Sequence, residues 1–541
     1  MEYSILFSAF TTLMLRRFTQ FSAWSVYIAV LALYLFSLYS LFEYRAESSI
    51  WSFADVYPIL KYSLLQAGLS AIFSMLLGVL LARSFFYLKF LGKSFLYKII
   101  TFVWALPALV VIFAVIGVWG NSGWLVQLWQ YWGWEWPFQL YGLQGILIAH
   151  LLLNIPLVAK YCLEGLSLIP SSQHQLAAQL GLKGWSYFRI VEWPILKNII
   201  PYAFITVFLL CFTSFPIVLM LGGGPKYSTL EVAIYQAVTF EFDFAKAVML
   251  IIIQIIIGIG LQFVMDLTTR LGFQKLKNNL MPIDTIWTAK LSGWQKWRMQ
   301  AVIWGISFVI VLPLVNVVWR GLTVEKLGQR LANPLLWESV LFSLLLSLIA
   351  SFTVIVVAYL IALETRQLAY HHRKVAQSIL SSVSFYPLVM PIFMLAVGLF
   401  LLLIDIELTQ WHKLILVGIC NGLILLPYIY RLIFGAMWDV LITQDKLARS
   451  LGLTGIRRWW IVEKTYLIRP LANAFALAMS SSLGSFAVIA FFGSPDFSTL
   501  PYLLYQQLGS YRMDDAAVTA LVLMCFAFFP FLLIQNKEVQ S

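Results

Sequence analysis

Apolar stretches recur from one end of the chain to the other, separated by polar segments where Lys, Arg and Gly concentrate. Each runs for about 18 residues or more, enough helix to cross roughly 30 Å of hydrocarbon. Twelve are counted, at 24–43, 60–83, 98–119, 142–162, 198–221, 247–266, 300–319, 338–363, 377–404, 413–433, 469–492 and 516–534. The pattern predicts an all-α polytopic membrane protein. The first stretch follows the basic pair Arg16 and Arg17, exceeds a signal-peptide core and lacks a small-residue cleavage site, so it reads as an uncleaved first span.

Composition excludes a soluble core: 61% of residues are hydrophobic and 11% charged, against roughly 25% charged in soluble domains. A net charge of +12 raises the question of an anionic partner. With the N-terminus placed in the cytoplasm, 27 of the 36 Lys and Arg fall on inside segments. Lys/Arg bias sets orientation, so both termini are predicted cytoplasmic and the charge needs no acidic ligand. The aromatic run Trp124, Trp129, Trp132, Trp134 and Trp136 has no Lys or Arg interleaved, which predicts a membrane-interface belt and excludes a nucleic-acid platform.

Little else suggests chemistry. Cys162, Cys211, Cys420 and Cys525 form no CxxC pair, and His150, His174, His371, His372 and His412 show no ligand spacing, so no metal, cofactor or catalytic residue is predicted. Gly92-Lys93-Ser94 ends like a phosphate-binding loop but has Tyr87 where the first glycine belongs, and Leu291-Ser292-Gly293-Trp294-Gln295 has Trp where an ATPase signature needs glycine. Any ATPase is therefore expected on a separate protein.

The chain repeats. Leu176, Ala177, Leu180, Gly181, Leu182, Gly184 and Ile190-Val191-Glu192 return 271 positions later as Leu447, Ala448, Leu451, Gly452, Leu453, Gly455 and Ile461-Val462-Glu463. Pro156 matches Pro427, Ser214-Phe215 matches Ser485-Phe486, and Ser228-Thr229-Leu230 with Tyr235-Gln236 matches Ser498-Thr499-Leu500 with Tyr505-Gln506. Six spans per half is an even number, so the halves are parallel copies. The predicted boundaries are a first half at 1–266, a cytoplasmic linker at 267–299 and a second half at 300–541.

Each half carries a long cytoplasmic loop, at 163–196 and 434–468. Each reads as a short helix, a glycine turn and an amphipathic segment. Ser171 and Ser172, or Thr443 and Asp445, are expected to cap the first helix, and Gly181 and Gly452 to end it in the left-handed conformation. Leu176, Ala177 and Leu180, like Leu447, Ala448 and Leu451, share one face and offer an apolar knob to a partner. This resembles the EAA loop of ABC importer permeases: Gln175-Leu176-Ala177, Gly181 and Val191-Glu192-Trp193-Pro194 follow its spacing, and Lys446-Leu447-Ala448, Gly452 and Val462-Glu463-Lys464-Thr465 follow it more loosely. The acidic first residue is absent from both copies, and Thr465 replaces the terminal proline. The resemblance implies a type I importer fold, with the loops docked on two copies of an ATPase subunit.

The resemblance narrows over YGLQGILIAHLLLNIP at 141–156, FRIVEWPIL at 188–196, LGGGP at 221–225 and LPYLLYQQLGSYRMDDAAVTAL at 500–521. These are similar to thiamine ABC transporter permeases of the bacterial inner membrane. They imply thiamine as cargo, with its phosphate esters left open, and a periplasmic binding protein on the outer loops, where Asp243, Asp496, Asp514 and Asp515 are candidate contacts. A ferric-iron permease is the alternative substrate reading. An ion-coupled carrier is the alternative class, disfavoured because the span interiors are nearly free of acids and bases. With no acid in the spans to meet a thiazolium, aromatic faces and Asn154, Gln236, Gln254, Asn421 and Gln506 are the expected weak path.

Overall fold

The computed structural model describes residues 2–43, 53–224, 227–268, 286–287, 293–403, 405–453, 455–494 and 496–535. Most of the 267–299 linker, with Leu291 and Ser292, lies outside the described residues, as does Pro225. The first half runs α1 (Glu2–Glu43), α2 (Phe53–Tyr87), α3 (Lys93–Val103), α4 (Ala108–Trp119), α5 (Trp124–Tyr131), α6 (Leu143–Leu166), α7 (Ser171–Gln179), α8 (Gly184–Tyr187), α9 (Trp193–Phe212), α10 (Pro216–Leu221), α11 (Leu230–Thr239) and α12 (Phe244–Thr268). The second runs α13 (Gly293–Thr323), α14 (Leu327–Leu331), α15 (Pro334–Tyr370), α16 (Lys374–Ser382), α17 (Tyr386–Val389), α18 (Ile392–Leu402), α19 (Gln410–Ile424), α20 (Leu426–Ser450), α21 (Gly455–Arg458), α22 (Lys464–Leu483), α23 (Ile489–Phe492), α24 (Leu500–Gly509) and α25 (Met513–Gln535). Among the described residues the fold is all-helical, apart from one isolated bridge between Ser494 and Phe497.

Every predicted apolar stretch is helical, but not every one is a single rod. Nine helices among the described residues are long and apolar enough to span, and α19 with α20 makes a tenth bent by 58°. The expected spans at 377–404 and 469–492 do not reach that standard. The first is split into α16, α17 and α18, and the second ends at Leu483 before the short α23. Proline explains part of this, because it removes an N–H and disfavours helix at the preceding residue. Pro107 breaks the 98–119 stretch between α3 and α4, and Pro391 breaks its counterpart ahead of α18.

The two halves are interlocked by exchange of their first helices. α1 packs on α15 and α18 of the second half, while α13 packs on α2 and α4 of the first as well as on α25 of its own. The seams use small residues that let backbones approach: a Cβ on Gly398 would lie 2.3 Å from the Ser37 carbonyl oxygen, and one on Gly484 would lie 2.8 Å from Pro107. Ser40 Oγ donates to the Gly398 carbonyl at 2.8 Å, and Asn316 Nδ2 to the Gly117 carbonyl at 3.2 Å. Trp129, Trp132 and Trp134 are exposed near α5, with Trp129 and Trp134 at 5.0 Å between centroids.

Candidate functional site

The two long loops end in the same turn. Gly181 has φ +66° and Gly452 φ +63°. Leu182 N–H donates to Ala177 O and Gly181 N–H to Ala178 O; Leu453 N–H donates to Ala448 O and Gly452 N–H to Arg449 O. This is the Schellman closure that satisfies the last carbonyls of a helix. It leaves Leu176 and Leu180, like Leu447 and Leu451, more than half exposed one turn apart, while Ala177 and Ala448 are buried. The apolar knob is thus a leucine pair, with each alanine turned inward against the protein. Gln175 and Lys446, at the position of the missing acid, are exposed.

The expected caps are not made. α7 begins after Pro170 with no side-chain cap, and Ser171 Oγ instead accepts from the Trp287 N–H of the linker at 3.0 Å. The first helix of the second loop has no start of its own, because Leu441 stands where Pro170 would be and α20 runs unbroken to Ser450. Thr443 lies inside it, donating to Asp439 O at 2.7 Å.

Beyond the glycine turns both loops pass through a single π turn, Phe188–Glu192 and Trp459–Glu463. Pro194 follows the first and Thr465 the second, so the widened turn does not depend on proline. Each turn carries its glutamate inward. Glu192 is fully buried and takes a two-point contact from Arg83 of α2, Nε to Oε2 at 2.5 Å and Nη2 to Oε1 at 3.1 Å, with the Tyr87 hydroxyl at 3.0 Å. Glu463 receives both its contacts from Nη2 of Arg366 on α15, at 2.8 and 3.0 Å, with Arg458 Nε at 3.3 Å. A second joint ties α7 to α8: His174 Nδ1 meets the Tyr187 hydroxyl. Its counterpart is an ion pair, Arg458 Nη1 to Asp445 Oδ1 at 2.6 Å. Burial lowers the pKa of His174.

The proposed path residues each have their own partner or surroundings. Asn154 donates to Cys211 Sγ at 3.2 Å, Asn421 accepts from Ser485 at 2.9 Å, Gln236 accepts from Ser228 at 3.2 Å, and the Gln506 side chain is exposed. Gln254 is buried and donates to Glu231 at 2.6 Å. Between the halves sits an aromatic plug. Phe215 and Phe486, partners in the repeat, stack at 5.8 Å and 8°, flanked by Tyr235, Tyr505, Phe393 and Phe491.

The comparisons with known proteins fit this arrangement. The family model described as binding-protein-dependent transport system inner membrane component matches residues 74–271. The thiamine transport system permease protein of Haemophilus influenzae is 40% identical over 92% of this chain and 91% of its own length. Those of Salmonella typhimurium and Escherichia coli are 38% and 37% identical, over 91% and 90% of both chains. The chain belongs to this permease family.

In this family member two of the four candidate acids, Asp514 and Asp515, are neutralised from within. Arg330 pairs with Asp514 at 3.0 Å and also meets Asp515, Arg512 reaches Asp515 at 2.6 Å, and Asp243 accepts the Lys246 N–H at 2.9 Å. Asp496 remains exposed. The stretch between the predicted spans at 198–221 and 247–266 is also less loop-like than its place outside them suggests, since residues 230–235 of α11 are all buried. A cleft of about 710 Å³ opens between α2, the first loop and the start of α13, lined by Arg83, Lys183, Trp185, Phe188 and Arg298. Sequence reasoning missed Arg83 and Arg366, and with them Tyr87 and Tyr370. These recur 283 positions apart, outside the 271-residue register, and that second offset was the available signal.

Proposed function

We propose that this chain is the membrane-spanning subunit of an ATP-driven importer that carries thiamine into the cytoplasm. Its halves at 1–266 and 300–541, joined by the 267–299 linker, each present one docking loop to one of two separate ATPase subunits. The observation that carries the reading is the pair of register-matched Schellman turns, each exposing two leucines and each anchored by a buried Arg–Glu contact to a spanning helix. A loop resting on lipid needs no such rigid anchor; a loop that passes force to the spans does. Closure of the ATPase pair pulls the loops, and the Arg83–Glu192 and Arg366–Glu463 contacts transmit that motion to α2 and α15. The Lys/Arg distribution supports cytoplasmic termini in a bacterial inner membrane, facing a periplasmic binding protein on the other side. The cargo reading rests on the relatives' thiamine transport and on aromatic surroundings suited to a cation.

Gly181→Val and Gly452→Val test the coupling role. Left-handed backbone costs a branched residue about 1–2 kcal/mol, and the added bulk meets any docked partner. Uptake of radiolabelled thiamine should collapse while the chain still reaches the membrane. Undisturbed uptake counts against docking, and wild-type uptake of ferric iron in place of thiamine overturns the cargo.

A further inference from the structure

Glu231 is a buried acid with no counter-charge. It lies in the first turn of α11, wholly inaccessible. Gln254 donates to its Oε1 at 2.6 Å, the backbone N–H of Ile392 faces the carboxyl, and Oε2 is buried without a hydrogen-bond partner. Among the described residues no Lys, Arg or His pairs with it. Two neutral amides, one at the N-terminus of α18, satisfy part of a carboxylate and leave the rest unmet. Such a group stays neutral while it is unpaired and holds its charge only beside a cation.

Its position says which cation. Tyr235 lies one turn further along the same face of α11 and packs at 5.1 Å on Phe215, 6.1 Å on Phe393 and 5.2 Å on Phe491. Phe393 follows Ile392 directly. Glu231 therefore lies one turn of α11 from the aromatic cluster that fills the seam between the halves. A metal ion has no further ligands there, since no group of three His, Cys, Asp or Glu side chains occurs among the described residues. An aromatic cation needs one carboxylate and ring faces, which is the arrangement present. The repeat supports a single site, because Pro501 occupies the matching position in the second half and carries no charge.

We propose that Glu231 is the counter-ion that admits the fixed positive charge of the cargo as the aromatic plug parts, with Tyr235 as the ring wall beside it. This rests on the reading of thiamine as cargo. Selectivity for the charged ring is then built into the permease as well as into a binding protein, and it resides in the first half alone.

The test compares thiamine with its neutral thiophene analogue, in which carbon replaces the quaternary nitrogen, as uptake by cells carrying the complete transporter. Glu231→Gln should lower thiamine uptake about tenfold or more, as expected for losing a charged partner. Uptake of the neutral analogue should change less than about twofold, and Glu231→Asp should restore discrimination. Tyr235→Leu should lose the same selectivity that Tyr235→Phe keeps. Equal loss of both compounds, or loss of neither, overturns the inference. Absence of thiamine uptake by the wild-type transporter overturns the cargo reading itself, and the two failures are told apart by that first measurement.

Discussion

Glu192 and Glu463 are the residues on which the proposed coupling turns, and each is buried against an arginine of a spanning helix. Removing one partner of a buried pair leaves the other unmatched, at a cost of about 3–5 kcal/mol. Glu192→Ala should therefore free the first loop, seen as faster proteolysis between 171 and 193 and a lower unfolding temperature in detergent. Arg83→Met combined with Glu192→Leu should recover most of the stability and none of the uptake, because a greasy contact does not hold the π turn to one angle. Unchanged proteolysis in the single variant would defeat this account. The glutamates were legible in the sequence, since both stand in the 271-residue register. Their arginines were not, because Arg83 precedes its glutamate by 109 residues and Arg366 by 97. The extra residues fall between the helix that holds the arginine and the loop, where the first half also carries α5. Glu231 was hidden for a different reason. Hydropathy placed it in an outer loop, and only the packing of α11 shows that the loop is interior.

At the scale of elements the two helices proposed to dock are built alike and fastened differently. α7 is short, set off by Pro170 and tied to α8 by two neutral groups, whereas α20 is a continuation of a span and is tied by Asp445 and Arg458. The groups facing His174 are the Tyr187 hydroxyl and the rings of Phe86 and Tyr87, with the Arg83–Glu192 pair beyond Tyr87. Burial depresses the pKa of His174 in the docked loop, while an exposed histidine titrates near about 6.5. The stabilisation is complete above that value. It is lost as pH falls below it, because the released loop binds a proton that the docked loop refuses. Hydrogen exchange of 171–187, taken relative to the intrinsic amide rate at each pH, should thus accelerate between about pH 7 and pH 5.5, with 443–458 unaffected on the same scale, its arginine staying protonated throughout. His174→Asp with Tyr187→Arg, which installs the second loop's pair, should remove the dependence; persistence of the acceleration would exclude His174 as its source. The glycine turns were readable from spacing alone. The continuous α20 was not, because the absence of a proline is a weaker signal than its presence.

For the whole molecule the repeat predicted two parallel halves but not their exchange of first helices, since hydropathy carries no information on which neighbour a helix meets. That exchange makes the halves mutually dependent. α1 is held by the second half through Ser40 and Gly398, and α13 by the first through Asn316 and Gly117, so the linker has little holding to do. Fragments divided within 270–290 and produced together should copurify, while either alone should fail to accumulate. Gly398→Ala then tests the seam. Its new methyl would sit 2.3 Å from a backbone oxygen of α1, which cannot swing aside as a side-chain tip can, and overpacking of this kind costs about 1–3 kcal/mol. In the divided protein that cost acts directly on association, so copurification should fall sharply. In the intact chain the same substitution should be tolerated better, because the covalent linker keeps the halves at high effective concentration. Equal tolerance in both forms would mean that α1 does not clamp the halves.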